Sequence, residues 1–184
     1  MSARKVRLLL AGLVALLIPL GAVSATASAE PVSEQVRTIY YDATGAEEFQ
    51  DAVDAGAAVW NAAVPSIKLE KGGDATITIV ADDGWPRAQT IELGVGTIWF
   101  GREAVIEGHD TTRIAAHELG HILGLPDDRT GLCEDLMSGA SAGTSCKNAQ
   151  PNPVEIAQVE ENFAGSRDAK SFSGTFDETP VAAG

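Results

Sequence analysis

The spacing of apolar positions changes along the chain, and each change predicts an element. "VRTIYYD" (residues 36–42) is β-branched and aromatic, which predicts a strand. Phe49, Ala52, Val53, Val59, Trp60 and Ala63 then recur at three- and four-residue spacing, with acids ahead and Pro65 behind. That pattern predicts an amphipathic helix. "SIKLEKGG" and "ATITIVADD" alternate, so both read as strands, with Ile77 and Ile79 on one face. "RAQTIELGVGTIWFG" reads as one or two further extended segments. "DTTRIAAHELGHILG" predicts a second long helix, with Asp110 placed to cap it. Residues 125–153 are irregular and rich in Gly, Ser, Asp and Pro. "NPVEIAQVEENFA" follows, with Val154, Ile156, Ala157, Val159 and Phe163 as the inner face of a short final helix. No internal repeat is present. The order predicts an α/β (α+β) single domain: one twisted sheet of mostly four to five strands, an active-site helix and a C-terminal helix.

Both ends of the chain read differently from this core. Arg4, Lys5 and Arg7 precede the apolar run "LLLAGLVALLIPLGAV", and "ATASA" places Ala27 and Ala29 at the −3 and −1 positions of a cleavage site. Residues 1–29 therefore read as a secretory signal peptide, in preference to a membrane anchor, because of the small-residue exit and Pro19. Residues 30–35 read as a short pro or linker segment, residues 36–164 as the folded domain, and the polar residues 165–184 as a disordered tail. The expected product is secreted and extracellular.

Charge narrows the partners. The leader holds 3 of the 13 basic residues and none of the 26 acids, leaving 10 against 26 and a net charge of −16 for the remaining 155 residues. Such a surface disfavours nucleic acid and anionic lipid. The expectation is a soluble monomer, without nucleic acid or membrane partner after leader cleavage. The two cysteines, Cys133 and Cys146, form an even pair in an exported chain and so read as a disulfide.

Chemistry concentrates in "AAHELGHILGLPDD". Residues four apart on a helix share a face, so His117 and His121 can present two imidazoles to one ion. Glu118, one position round, can reach a water on that ion without ligating it, which is the arrangement of a zinc hydrolase. No histidine follows His121, and His109 lies before the helix cap, where it reads as a loop residue. Gly124 falls where a helix can end left-handed and swing the chain back across the metal. The extended motif H-E-x-x-H-x-x-G-x-x-H puts its third ligand three residues past that glycine, which here is Asp127, with Asp128 the neighbouring competitor. Met137, in "DLMSG", stands where metzincins place the methionine turn under the metal.

The HExxHxxGxxD pattern, followed by "LCEDLMSG" and "SCKN", resembles the snapalysins, small secreted neutral zinc proteases of the metzincin clan. The resemblance runs from about Thr38 to Ala164. It implies a metzincin-like fold, residues 36–164 as a zinc metalloprotease catalytic domain acting on protein or peptide, one zinc held by His117, His121 and Asp127, and Glu118 as catalytic base. It implies a Met-turn at Met137 framed by the disulfide, and preference for an aromatic residue after the scissile bond. It also implies calcium at Asp110 and Thr112, although a plain helix-capping role explains Asp110 equally well. Tyr40 and Tyr41 both precede the site, so a tyrosine beyond the Met-turn is absent. No cysteine precedes the motif to mask the zinc. Substrate is expected to pair antiparallel with an edge strand at residues 90–99, where Gly94 and Gly96 admit a close backbone. Two rival readings remain: a gluzincin-type peptidase with Glu155 or Glu160 as third ligand, and a non-catalytic zinc-binding module, against which Glu118 speaks.

Overall fold

Alternation in the sequence becomes a one-sided sheet. The computed structural model of the chain describes residues 36–164 and 173–179. The expected leader, the linker at 30–35 and residues 165–172 and 180–184 lie outside the described residues. Strand β1 (Arg37–Gly45) leads through a 3₁₀ turn (Glu47–Phe49) into helix α1 (Gln50–Ala63) and parallel strand β2 (Ile67–Lys71). Strands β3 (Ile77–Asp82), β4 (Arg87–Glu92) and β5 (Val95–Gly101) follow. The short helix α2 (Arg102–Glu107) precedes α3 (Thr111–Ile122), and α4 (Pro153–Ala164) comes after the long loop. A last strand, β6 (Gly174–Asp177), completes a sheet of order β2-β1-β3-β5-β4-β6. β1, β2, β3 and β5 are parallel; β4 runs antiparallel to β5, and β6 antiparallel to β4.

Ile39, Tyr41 and Ala43 of β1, Ile77 and Ile79 of β3, and Ile98 and Phe100 of β5 point to one face and are buried. Helices α1 and α3 pack on that face. Burying a side chain such as Ile or Phe contributes roughly 1.5–3 kcal/mol, so this face carries much of the folding free energy. Trp60 of α1 is fully buried and donates its indole N–H to the Ala116 carbonyl of α3 at 2.8 Å, which fixes the two helices against each other.

The sequence reading of the main elements holds, with three differences, one of them a 3₁₀ segment at Leu136–Ala142 inside the stretch expected to be irregular. α2 is too short to show a periodic pattern, and its segment carried no expectation. The tail, expected to be disordered over 165–184, contributes strand β6. Its four residues include a single large apolar side chain, and the strand exists because β4 offers an otherwise unpaired edge.

Candidate metal centre and cleft

Asp110 starts α3 as its N-cap, accepting the backbone N–H of Arg113 at 3.0 Å. Ten of the helix's twelve residues are buried, so its side chains are held by packing on all sides. His117 and His121 rise one turn apart with Nε2 atoms 3.0 Å from each other. The Nδ1 of His117 faces the Leu136 carbonyl at 3.0 Å, and that of His121 faces the Leu125 carbonyl at 2.9 Å. A carbonyl only accepts, so each Nδ1 carries its ring's proton and each Nε2 turns a lone pair toward the other. Two lone pairs facing at that distance suit a shared cation or proton. Burial works against charge on His117, but the Glu178 carboxylate beside it raises its pKa well above the usual value. Burial, and then the charge on His117, push His121 down to about 3.

The third donor follows from how α3 ends. The Leu125 N–H bonds the Gly120 carbonyl and the Gly124 N–H bonds the His121 carbonyl, both at 3.0 Å, while Gly124 has φ +92°. This is a Schellman cap, and it turns the chain back along the helix. Asp127 Oδ1 comes to 3.4 Å from His117 Nε2 and 3.6 Å from His121 Nε2. That oxygen is buried and has no hydrogen-bond partner among the described residues. Asp128 is exposed, and its backbone N–H bonds the Met137 carbonyl at 2.9 Å. The set His117, His121, Asp127 fits zinc. Donor separations of 3.0–3.6 Å bracket the ~3.3 Å edge of a tetrahedron with bonds of about 2.0–2.1 Å.

The long loop is built as a floor for this cluster. Arg113 is buried, and its guanidinium donates to the carbonyls of Cys133, Asp135, Leu136 and Asn148. Cys133 and Cys146 are joined by a disulfide, as expected. Met137 is buried beneath α3, and a Cβ at Gly120 would lie 2.7 Å from its sulfur, so only glycine lets helix and turn approach. The Met137 N–H donates to Glu155 Oε1 at 2.7 Å, while Glu155 Oε2 accepts the Asn152 N–H at 2.6 Å in a capping box that opens α4. Glu155 is thus committed elsewhere, and Glu160 accepts from the Ser66 N–H at 3.5 Å. Neither belongs to the cluster, which removes the gluzincin alternative. Arg113 and Glu155 were not singled out for these roles in the sequence; only the distant loop they hold reveals them.

Glu118 is fully buried, and neither of its carboxylate oxygens has a hydrogen-bond partner among the described residues. Burial raises its pKa well above the ordinary carboxyl value, against the lowering effect of His117. It lines a cleft together with Trp85, Pro86, Ile114, His117 and Ala140. His109 borders the same cleft, half-buried and edge-on to Trp85, and burial lowers its pKa. Asp110 and Thr112 lie half-buried at the start of α3, where the capping bond accounts for Asp110.

The edge strand needs correction. β5 lies inside the sheet between β3 and β4, and β4 in turn pairs with β6, so residues 90–99 form no free edge. Gly96 is required by internal packing, since a Cβ there would collide with the Gln89 carbonyl and Ile122. Gly94, at φ +80°, forms the turn of the β4–β5 hairpin. Both glycines are accounted for by internal packing and turn geometry.

A fourth donor comes from the tail. Glu178, 4% exposed, brings Oε1 to 2.9 Å from His117 Nε2, and its Oε2 accepts the Ala140 N–H at 3.0 Å. Although burial opposes ionisation, the charge on His117 lowers its pKa far below the ordinary range. His117, His121, Asp127 and Glu178 form one group of donors able to hold a metal ion. The only trace of this in the sequence is the two-residue spacing of Phe176 and Glu178, which puts both on one face of an extended segment.

The family described as "Streptomyces extracellular neutral proteinase (M7) family" matches residues 36–166. The "Extracellular small neutral protease" of Streptomyces caespitosus is 38% identical over 129 residues, 69% of this chain and 97% of the relative. That of Streptomyces coelicolor is 38% identical over 130 residues, 69% of this chain and 60% of the relative. That of Streptomyces sp. (strain C5) is 36% identical over 140 residues, 74% and 61% of the two chains. This chain thus spans about three fifths of the length of the latter two. With the match running across the whole catalytic region, from β1 through α4, the chain belongs to the Streptomyces extracellular neutral proteinase (M7) family.

Proposed function

We propose that the chain is a secreted zinc-dependent endopeptidase. The observation that carries this reading is the convergence of His117 Nε2, His121 Nε2 and Asp127 Oδ1, next to a cleft lined by His117 and by Glu118, whose carboxyl is buried with no partner among the described residues. His117, His121 and Asp127 hold the metal. Zinc supplies Lewis acidity for the scissile carbonyl and brings the pKa of a water toward neutrality.

Glu118 takes the proton of the attacking water and returns it to the leaving amine. Burial makes its carboxyl more basic than a surface glutamate, which suits proton uptake near neutral pH. The backbone carbonyls of Leu125 and Leu136 hold both imidazoles in the tautomer that leaves Nε2 for the metal. Arg113, the Cys133–Cys146 disulfide and Met137 hold the floor that keeps those carbonyls in place. A peptide lies antiparallel along β4, and the apolar wall of Trp85, Pro86 and Ile114 receives the aromatic side chain after the scissile bond. That preference, and calcium at Asp110 and Thr112, rest on family resemblance. Export rests on the leader sequence and on relatives named extracellular. Among the described residues no helix is long and apolar enough to cross a membrane.

Casein hydrolysis by the secreted protein tests the reading. Activity should disappear with a chelator and return with zinc; hydrolysis indifferent to chelation overturns it.

A further inference from the structure

The tail lies where a substrate belongs. Strand β6 pairs antiparallel with β4, Arg87 opposite Asp177 and Thr90 opposite Gly174, the orientation in which a peptide adds to a sheet edge. Pairing continues past the strand, because the Glu178 N–H donates to the Pro86 carbonyl at 3.0 Å. Phe176 stacks flat on the His121 ring, with centroids 4.1 Å apart and planes 5° from parallel. Two residues on, the Glu178 carboxylate meets His117, and the exposed Arg129 holds the segment by donating to the Asp177 carbonyl at 2.9 Å. Room for that carboxylate depends on Gly139, where any Cβ would collide with Glu178 Oε2. The whole segment lies beyond the stretch matched by the family, which ends at residue 166.

We propose that residues 174–179 are an autoinhibitory strap: an intramolecular peptide that pairs along β4 in the place of a substrate and closes the metal centre with Glu178 as fourth donor. The proposal rests on the endopeptidase reading given above. A structural zinc site is closed by four protein ligands, whereas a catalytic one keeps a position open. Glu178 converts the second kind into the first. What the strap presents to His117 is a side-chain carboxylate in place of a peptide carbonyl. It is anionic and has no amine to expel, so the centre holds it without cutting it. Both the edge pairing and the metal-facing position must be vacated before a substrate enters. Opening is therefore a pre-equilibrium that lowers apparent activity by the fraction of chain in the open state.

The test compares the full chain with its Phe176→Ala/Glu178→Ala double variant, by two readouts. In hydrogen exchange, the β4 amides and those of residues 174–178 should be protected in the zinc-loaded wild type and exchange at least about tenfold faster in the variant. In hydrolysis of a short peptide, the variant should be about tenfold or more faster than wild type. A synthetic peptide of residues 173–179, added to the variant, should inhibit it and restore protection of β4. Equal exchange in both chains overturns the strap. So does loosened exchange without faster hydrolysis in a variant that is active. If exchange loosens, the synthetic peptide restores protection, and neither chain hydrolyses any peptide, pairing along β4 stands and the endopeptidase reading fails.

Discussion

Helix α3 and the strap at residues 174–179 bring donors to the same cluster by opposite means. α3 delivers His117 and His121 from a helix with ten of twelve residues buried, capped at its start by Asp110 and at its end by the Gly124 turn. The strap delivers Glu178 from a four-residue edge strand whose alternate residues are exposed. Taking α3 away means opening the core around Trp60, Leu119 and Ile122. Taking the strap away means breaking the pairing with β4, the Phe176 ring stack, and the contacts of Glu178 and Asp177 with His117, Ala140 and Arg129. Edge segments with few buried contacts open at far lower free energy than core helices. The permanent donors thus come from the rigid element, and the removable one from the element that can leave.

The sharpest test of this contrast lies on α3. Glu118→Gln should reduce hydrolysis by several orders of magnitude while zinc content stays near one per chain, because the amide keeps the shape but cannot take up a proton. Near-normal turnover in that variant would remove the role assigned to Glu118. Metal content discriminates next at the helix exit. Asp127→Ala should bind zinc far more weakly by equilibrium dialysis, whereas Asp128→Ala, with an exposed side chain, should match wild type. The reverse result would place the ligand one residue later.

Stability measurements then separate floor from strap. Reducing the Cys133–Cys146 bond should cost up to about 3 kcal/mol in denaturant unfolding, the value expected for a closed loop of this length. Gly120→Ala should cost roughly 1–3 kcal/mol by forcing a methyl against Met137 and Trp60. Phe176→Ala should change global unfolding least, by about 1 kcal/mol or less, since an edge strand can fray without opening the core. A loss of several kcal/mol there would mean that the tail is part of the core and cannot serve as a removable element.

What could be read in advance tracks how local each interaction is. The histidine pair, the glycine at the helix end and the aspartate three residues further are fixed by helix periodicity and one capping motif, and all three recur in the structure at their expected positions. The alternating strands were legible because one face of the sheet is buried and the other is not. α2 was missed because six residues show no period. The edge strand was misplaced because Gly94 and Gly96 answer to hairpin geometry and the packing of Ile122, and neither shows in a run of extended residues. The tail was read as disordered because its composition is polar and its only partners are remote.

By itself, then, the sequence determined the elements and the donors lying within about three helical turns of one another, since covalent spacing and helix geometry already bring those side chains together. The tertiary structure alone decided that Arg113 clamps a loop some twenty to thirty-five residues away, that β4 takes the tail strand β6 as its outer partner, and that Glu178, sixty-one residues beyond His117, completes the cluster. Each of those contacts spans a long stretch of chain, and its closure is stabilised by the packed sheet and helices as a whole, with no local pattern to announce it.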